Sequence, residues 1–266
     1  MADMSDAKPP AGIIIRPGTA ADADAISQVH YEALDRFHAF YATFFKKHPR
    51  ELIPIMTSRA FAETRRPVQV FYVAEDEDEG DVVGFVRYSI EEAKTEDDKK
   101  GMEEVKGKKE ESPFACKEAL KEVWNAFGEE QAKRDAMLED AAKGQRHMCI
   151  QHLMIRPSHQ RQGIGHALLA RALLRADAAR LPAVIVSSAE SKGLYGKAGF
   201  ASLGSFRLDN GRWAREAARV LAGPEGRGEE EEEGDHKMLV ERYDGVFEVE
   251  DVMVRAVGGG REVEQV

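Results

Sequence analysis

The sequence predicts an α/β protein in which one central sheet carries helices on both faces. Short apolar segments bounded by Gly or Pro alternate along the chain with segments of helical periodicity. The 266 residues, 42% of them hydrophobic, are enough to bury a substantial core. No internal repeat points to a solenoid or a propeller. Alternating strands and helices form such layers because each element must bury one apolar face.

The composition excludes several classes of protein. A net charge of −10 disfavours nucleic acid as a partner, because phosphate binding requires a basic face. The two cysteines, Cys116 and Cys149, have neither the number of a disulfide framework nor the spacing of a zinc site, so a reduced, cytoplasmic setting is expected. No run approaches the roughly 20 apolar residues of a membrane span. Residues 1–12 carry acids and prolines and are expected to form a disordered arm rather than a targeting peptide.

The first half of the chain opens with a short strand at residues 13–16. Thr19, with Asp22 three residues on, is typical of a helix N-terminus, and a helix is predicted over residues 23–37. Four aromatic rings then follow at helical spacing, at Phe37, Phe40, Tyr41 and Phe44. We interpret them as a core stripe rather than as a wall of a substrate pocket, given the usual burial of aromatic side chains.

A β-hairpin and two insertions are predicted next. Residues 68–74 and 82–90 read as paired strands around an acidic turn. Residues 91–112 are almost wholly charged and are expected to form a mobile insertion. A helical insertion over residues 113–140 follows, with an apolar stripe at Leu120, Val123, Trp124 and Phe127.

The second half is predicted as strands and helices within a single domain spanning residues 13–250. Gly199 is expected to cap the second helix in a left-handed conformation. Residues 223–235 read as a disordered acidic loop, and residues 251–266 as a tail. The predicted strands cover residues 147–155, 183–187, 200–208 and 238–243. Two helices are predicted between them. The first has an apolar face formed by Ile164, Leu168, Ala172 and Ala176, and the second is a short helix over residues 190–198.

A glycine-rich loop, Gln160-Arg161-Gln162-Gly163-Ile164-Gly165, joins a strand to a helix. A helix N-terminus offers unpaired N–H groups and a positive dipole end, and glycines remove the Cβ atoms that would keep an anion away. Arg161 adds a cation at the rim. The dinucleotide fingerprint is excluded because Leu168 stands where its third glycine belongs, and the P-loop is excluded because no Gly-Lys-Ser/Thr occurs here.

This loop resembles the acetyl-CoA signature of the GNAT superfamily of N-acetyltransferases. A second stretch, Ser187 to Phe200 with its Leu-Tyr-x-x-x-Gly-Phe pattern, resembles the later segment of the same superfamily. The resemblance covers residues 13–208, and the helix ahead of the motif strand is similar to that of fungal members. It implies a mixed, mostly antiparallel sheet that is splayed between two central parallel strands, here residues 147–155 and 183–187.

The resemblance also implies a set of site residues. The loop would bind the pyrophosphate of acetyl-CoA, and the pantetheine arm would pair with the backbone of Leu153 and Ile155. Tyr195 takes the position of the acid that protonates the leaving thiolate, although it could instead only pack beneath the cofactor. No metal is implied. The cofactor-binding residues expected are Leu153, Met154, Ile155, Gln160, Arg161, Gln162, Gly163, Ile164, Gly165, His166, Ser188 and Tyr195.

The general base is open, because the motif strand carries no carboxylate. Gln151 is a candidate for holding a water, and His152 has a suitable pKa range. Strand alternation places Cys149 and Gln151 on one face and His152 on the other, unless a bulge intervenes. Cys149 as an acyl-accepting nucleophile is disfavoured. His30 and His38 lie near the aromatic stripe and are interpreted as packed residues rather than as acceptor-site residues.

The expected activity is direct transfer of acetyl from acetyl-CoA to a primary amine. The alternative is an acyl-CoA-binding sensor with the same fold and little chemistry. Small amines, polyamines and protein N-termini or lysines all stay open as acceptors, and the acidic balance favours cationic ones. The block Glu229–Glu233 is a charge run that carries no functional argument by itself. Neither a membrane nor a nucleic acid is expected as a partner, and the protein is expected to be a monomer or a homodimer.

Overall fold

A single mixed sheet organises the part of the chain that the computed structural model describes, which is residues 8–62, 67–93, 114–223 and 230–259. The strand order is β1-β2-β3-β4-β5-β7-β6, and every neighbouring pair is antiparallel except β4 and β5. The predicted fold class is confirmed. The strands are β1 (Ile13–Pro17), β2 (Gln69–Asp76), β3 (Val82–Glu91), β4 (His147–Ile155), β5 (Ala183–Ser188), β6 (Ala201–Asp209) and β7 (Phe247–Arg255).

Helices cover both faces of the sheet. One face is covered by α5, which packs on β1 to β4, and the other by α1 over β3 and β4 and by α4 over β5 to β7. None of the helices in the described ranges is long and apolar enough to cross a membrane. The helices are α1 (Ala23–Ala33), α2 (Asp35–Ala42), α3 (Pro49–Ala60), α4 (Lys121–Ala141), α5 (Ile164–Ala178), α6 (Lys192–Lys197), α7 (Asn210–Leu221) and α8 (Glu230–Tyr243).

The two parallel strands separate soon after they pair. Residues 148–150 of β4 lie in register with residues 183–185 of β5. Beyond Ile150, β4 continues to Ile155 paired only with β3, while β5 continues to Ser188 paired with β7. The sheet therefore opens between β4 and β5, as the family resemblance predicts, and the glycine-rich loop lies just past the end of β4.

The core has two main parts. Beneath α5, the predicted stripe of Ile164, Leu168, Ala172 and Ala176 is buried against the sheet. An aromatic cluster joins α2, α4, α7 and α8, and it includes Phe40, Phe44, Leu120, Phe127, Trp213 and Tyr243. Phe40 and Phe44 are fully buried, which confirms the core interpretation for these two rings. The side chain of Phe37 lies outside the described part.

The first half differs from its prediction at two helices. The helix expected over residues 23–37 is divided at Leu34, whose φ of −121° and ψ of 21° end α1, because α1 packs on the sheet while α2 turns into the aromatic cluster. α4 begins at Lys121 rather than at Pro113. Cys116 ahead of it forms a β-bridge with Phe45, and Pro113 lies outside the described residues.

The C-terminal part contains the largest corrections. Residues 238–243 are not a strand but the last turns of α8, and this helix also takes in residues 230–235 of the expected acidic loop. Glutamates are good helix formers, and Leu239 and Tyr243 dock α8 on the aromatic cluster. The tail expected from residue 251 is wrong as well, because β7 crosses that position to reach Arg255.

The charged residues of β7 explain why this strand is not predicted from the sequence. Asp251 is only 2% exposed, and its Oδ1 accepts hydrogen bonds from Lys192 at 2.6 Å and from Ser202 and Ser205 at 2.8 Å. These partners compensate a buried carboxylate that otherwise argues against a strand. Of the other expectations, residues 1–7, the insertion at 94–113 and the loop at 224–229 lie outside the described part of the chain.

Candidate active site

The glycine-rich loop has the backbone of an anion cradle. Gly163, the residue before α5, has a φ of +91°, a left-handed value that favours glycine. Arg161 also has a positive φ, +64°, and its side chain is exposed. Successive turns of this kind gather N–H groups into a concave surface, and the first-turn N–H groups of α5 have no intrahelical acceptor. The loop therefore offers a site for a phosphate group.

Two side chains of the glycine-rich loop stabilise its conformation. Gln160 donates from Nε2 to the Ile155 carbonyl at 3.0 Å, and Gln162 donates from Nε2 to the Ser158 carbonyl at 3.2 Å. Both glutamines of the motif therefore hold the turn after β4. Ile164 is buried beneath the sheet, while His166 is only partly buried in the first turn of α5.

The fold itself does not require a glycine at position 165. A Cβ built there would lie 3.7 Å from Leu194 Cδ2 and 3.8 Å from Ile155 Cγ1, which is ordinary van der Waals contact. Its backbone belongs to the first turn of α5. Neither backbone strain nor crowding thus explains a glycine at this position, and the missing side chain leaves room beside the first turn of α5 for a bulky anion.

Leu153 and Ile155 present their backbone to the opening between β4 and β5. The Arg156 N–H donates to the Val83 carbonyl at 2.8 Å, so Arg156 faces β3. Peptide groups alternate in direction along a strand, and the groups of Leu153 and Ile155 therefore point away from β3. Met154 differs, because it is directed towards β3 and its side chain packs with the cluster under α1.

Tyr195 lies on the α5 face of this opening. It is 3% exposed and belongs to the same cluster as Ile150 and Ile185, the last paired residues of the two strands. Burial raises its pKa far above the ordinary value, so the phenol keeps its proton at neutral pH. Ser188 ends β5, and its exposed hydroxyl donates to Ser191 Oγ at 3.2 Å.

A β-bulge at Gln151 changes the face of the sheet on which the following side chains of β4 lie. Arg87 pairs with His152 and the next residue, Tyr88, pairs with Ile150, which leaves Gln151 as the extra residue. His152 therefore shares a face with Cys149, which packs beneath α4, and the separation expected from simple alternation is wrong. Tyr195 and His152 consequently lie on opposite faces of the sheet.

Three histidines lie together on the face opposite α5. The His152 ring meets the His30 ring edge to face, with 4.8 Å between centroids, and the His30 and His38 centroids are 5.8 Å apart. Burial, followed by His38 and Arg87, lowers the pKa of His30 to about 4. Burial, followed by His30 and Arg87, holds the pKa of His152 well below its ordinary value. Both imidazoles are therefore neutral at pH 7.

These histidines line a cavity of about 300 Å³. The rest of its wall is apolar or aromatic, and none of the described residues that line it carries a carboxylate, an ammonium or a guanidinium group. Tyr41 is one of them, so this member of the aromatic stripe does form a pocket wall. The other wall residues are Leu34, Phe45, Pro49, Ile53, Met56, Phe114 and Trp124.

Only one end of the Gln151 side-chain amide, its Nε2, has a hydrogen-bond partner among the described residues. Its Nε2 donates to Ser89 Oγ, and Ser89 donates in turn to Glu91 Oε1, both at 2.5 Å. Its Oε1 is buried and has no hydrogen-bond partner among the described residues. A buried orphan acceptor is costly, and a water or a substrate N–H would satisfy it.

Cys149 is unsuited to nucleophilic catalysis. Burial, followed by the nearby Glu91, raises the pKa of its thiol to about 11. The thiolate is the reactive form, so a reactive cysteine requires the opposite shift. Within the ranges that the structure describes, no group of histidine, cysteine or carboxylate side chains is arranged to hold a metal ion.

The sequence interpretation missed much of the cavity. His30 and His38 were expected to be merely packed, and α3, which supplies Pro49, Ile53 and Met56, was not predicted. A signal for α3 exists, because His48 is followed by Pro49 and then Glu51, and His48 and Glu51 form a capping box.

Comparison with known proteins agrees with the fold and the loop. The family model described as acetyltransferase (GNAT) domain matches residues 117–215, a range that contains the glycine-rich loop and Tyr195. No curated protein matches the chain.

Two solved structures are similar in fold. One is a histone acetyltransferase HPA2 and related acetyltransferase from Corynebacterium glutamicum, at 15% identity, with 93% of this chain and 97% of that chain covered and a TM-score of 0.50. The other is the mosquito arylalkylamine N-acetyltransferase like 5b, at 12% identity, with 91% and 99% covered and a TM-score of 0.51. The family match therefore covers the segment that carries the loop and Tyr195, and these two structures share the fold of this chain.

Proposed function

We propose that this protein transfers the acetyl group of acetyl-CoA directly to a primary amine. The observation that carries the proposal is the position of the Gly163 cradle at the mouth of the opening between β4 and β5. The loop would bind the pyrophosphate, and the outward backbone groups of Leu153 and Ile155 would pair with the amides of the pantetheine arm. Ser188, at the end of β5, and the exposed Arg161, in the loop, would contact the cofactor along this path.

The two faces of the opening suit the two halves of the reaction. The amine nitrogen would approach from the cavity face and form a bond to the thioester carbonyl carbon. As the tetrahedral intermediate collapses, the carbon–sulfur bond breaks and the Tyr195 phenol gives its proton to the thiolate. The buried phenol keeps its proton at neutral pH, so it is able to give that proton to the thiolate as the carbon–sulfur bond breaks.

His152 and Gln151 are the groups proposed to receive the proton of the amine. His152 is neutral, so one ring nitrogen accepts a hydrogen bond from the amine N–H. The unpartnered Gln151 Oε1 holds a water that passes this proton to bulk water, from which the Tyr195 phenolate is protonated again. The pKa of His152 lies well below its ordinary value, so this ring is a weak base, and its main part is to accept a hydrogen bond from an amine that arrives uncharged.

Incubation with acetyl-CoA and a panel of primary amines tests this proposal. We expect stoichiometric release of free CoA and a product heavier than the amine by one acetyl group. Tight CoA binding without amine-dependent turnover would contradict the enzymatic proposal and leave an acyl-CoA sensor. Absence of CoA binding would contradict the placement of the cradle itself.

A further inference from the structure

The cavity at His152 is the part of the site whose wall is formed by apolar, aromatic and histidine side chains. It lies on the face of β4 away from α5, so it is separate from the path proposed for acetyl-CoA. His152 lies just beyond Ile150, the last residue of β4 that pairs with β5. A molecule in the cavity would thus reach the opening from the side opposite Tyr195.

The wall chemistry excludes acceptors that carry charge into the cavity. The described lining residues include no carboxylate, and the charge of Arg87, the β3 residue that pairs with His152, lowers the pKa of both His30 and His152. An ammonium group without a carboxylate partner is costly to bury. The cavity therefore favours the uncharged form of an amine, which is also the nucleophilic form.

The size and the shape of the wall favour a small apolar body. A volume of about 300 Å³ is at the lower end of small-molecule pockets. Trp124, Phe45 and Tyr41 supply ring faces, and Met56 supplies a flexible thioether that adapts to its contact. A peptide would also bring backbone N–H and C=O groups that need partners, and this wall offers few.

Resting on the proposed function, we propose that the acceptor is a compact primary amine with an aromatic or branched alkyl body, bound uncharged in this cavity beside His152. The apolar body packs on the wall of Trp124, Phe45 and Ile53. The amino group donates to the neutral ring of His152 and presents its lone pair towards the opening. Polyamines and peptides are the excluded classes.

A comparison of acceptors tests the proposal. kcat/KM is measured by release of free CoA with 2-phenylethylamine, 3-methylbutylamine, spermidine and a short peptide that carries a lysine and a free N-terminus. We expect the two apolar amines to exceed the other two by about 100-fold, because a second ammonium or a peptide group would be buried without partners. Preference for spermidine or the peptide would overturn the acceptor class while the transferase proposal stands.

A matched pair of variants locates the amine. Met56→Glu adds a carboxylate to the wall, whereas Ile55→Glu adds one to an exposed residue of the same helix that does not line the cavity. We expect Met56→Glu to lower kcat/KM for 2-phenylethylamine by about tenfold and to raise it for spermidine, since the new charge pairs with an ammonium. Ile55→Glu should change neither. Equal effects of the two variants would overturn the assignment of this cavity.

Binding alone separates this proposal from the transferase proposal. If no amine releases CoA, the affinity of the CoA-loaded protein for 2-phenylethylamine is measured by calorimetry. Binding that Met56→Glu weakens and Ile55→Glu preserves would support the cavity while the transferase proposal fails. Absence of binding to the unmodified protein would overturn the acceptor assignment.

Discussion

The His152 ring meets the His30 ring edge to face, with 4.8 Å between their centroids, and it joins β4 to α1 where the sheet begins to open. Arg87, which pairs with His152 across β3 and β4, lowers the pKa of both rings further, so protonation of either ring is opposed by its positive charge. This pair is the polar end of an otherwise apolar cavity. Its neutrality has consequences for stability as well as for binding.

The free energy of unfolding should fall as the pH drops from 6.5 to about 4. In this window the unfolded chain binds a proton at His30 that the folded chain excludes, because the folded pKa is about 4. His30 alone should account for a loss of about 3 kcal/mol, and His152 acts in the same direction. Urea unfolding at several pH values measures this loss of unfolding free energy. His30→Gln should flatten the dependence; a profile identical to that of the unmodified protein would contradict the assignment.

Gly165→Glu should abolish CoA binding without harming the fold. The added carboxylate lies at the N-terminus of α5, where negative charge favours the helix but repels a pyrophosphate. We expect affinity for CoA to fall by about 100-fold or more by calorimetry, with an unchanged melting temperature. Gly128→Glu, on α4 with open space around it, is the control. Unchanged affinity in Gly165→Glu would refute the phosphate cradle.

Tyr195→Phe should lower kcat while CoA affinity stays nearly constant. Loss of a general acid typically reduces turnover by about 100-fold or more. Because burial keeps the phenol protonated, the unmodified enzyme should show no loss of rate from ionisation of Tyr195 up to pH 9 or so. Tyr88→Phe removes another buried phenol of the same core cluster and serves as the control. A Tyr195→Phe enzyme with full kcat would restrict Tyr195 to packing.

Cys149→Ala should retain activity. The thiol pKa of about 11 leaves almost no thiolate at pH 7, so an acyl-cysteine intermediate is not expected. Mass spectrometry of the protein after incubation with acetyl-CoA should show no acetyl adduct at this residue. Loss of turnover in a variant that remains folded, together with an adduct on the unmodified protein, would establish a two-step mechanism instead.

Asp251→Asn should destabilise the fold. Its carboxylate ties β7 to α6 through Lys192 and to β6 through Ser202 and Ser205. An amide at this buried position should lower the free energy of unfolding by about 1–3 kcal/mol. Asp244→Asn, which removes an exposed partner of Arg215, should change it by less than about 0.5 kcal/mol. A comparable change in both variants would mean that the buried network adds little.

Local signals in the sequence were enough to predict the strand and the helix on either side of the loop, while the arrangement of the sheet came from the family resemblance. β4 was predicted with its observed bounds, and the stripe of α5 and the cap at Gly199 follow from spacing and glycine chemistry. The cradle is a local feature, because the consecutive residues of a single loop form it, and its sequence is therefore sufficient to predict it. The same is true of the capping at Thr19 and Asp22, where Asp22 accepts from the Thr19 N–H at 2.8 Å.

The cavity was not predictable in this way, because its wall comes from separate segments. His30, Met56, Trp124 and His152 lie on α1, α3, α4 and β4, and only tertiary packing joins them. The bulge at Gln151 also leaves no mark in the residue pattern, yet it decides which face His152 occupies. Net charge does not describe this wall either, since the protein is acidic overall while none of the described residues that line the cavity carries a carboxylate.

The sheet order has a consequence for how the chain is assembled on the ribosome. β6 pairs with β7 alone, and β7 is the last strand in the described part of the chain. Although β6 is synthesised earlier, it cannot join the sheet until β7 has emerged and docked beside β5. Truncation ahead of β7 would leave two strand edges exposed, so a nascent chain halted there should be a ready target for aggregation.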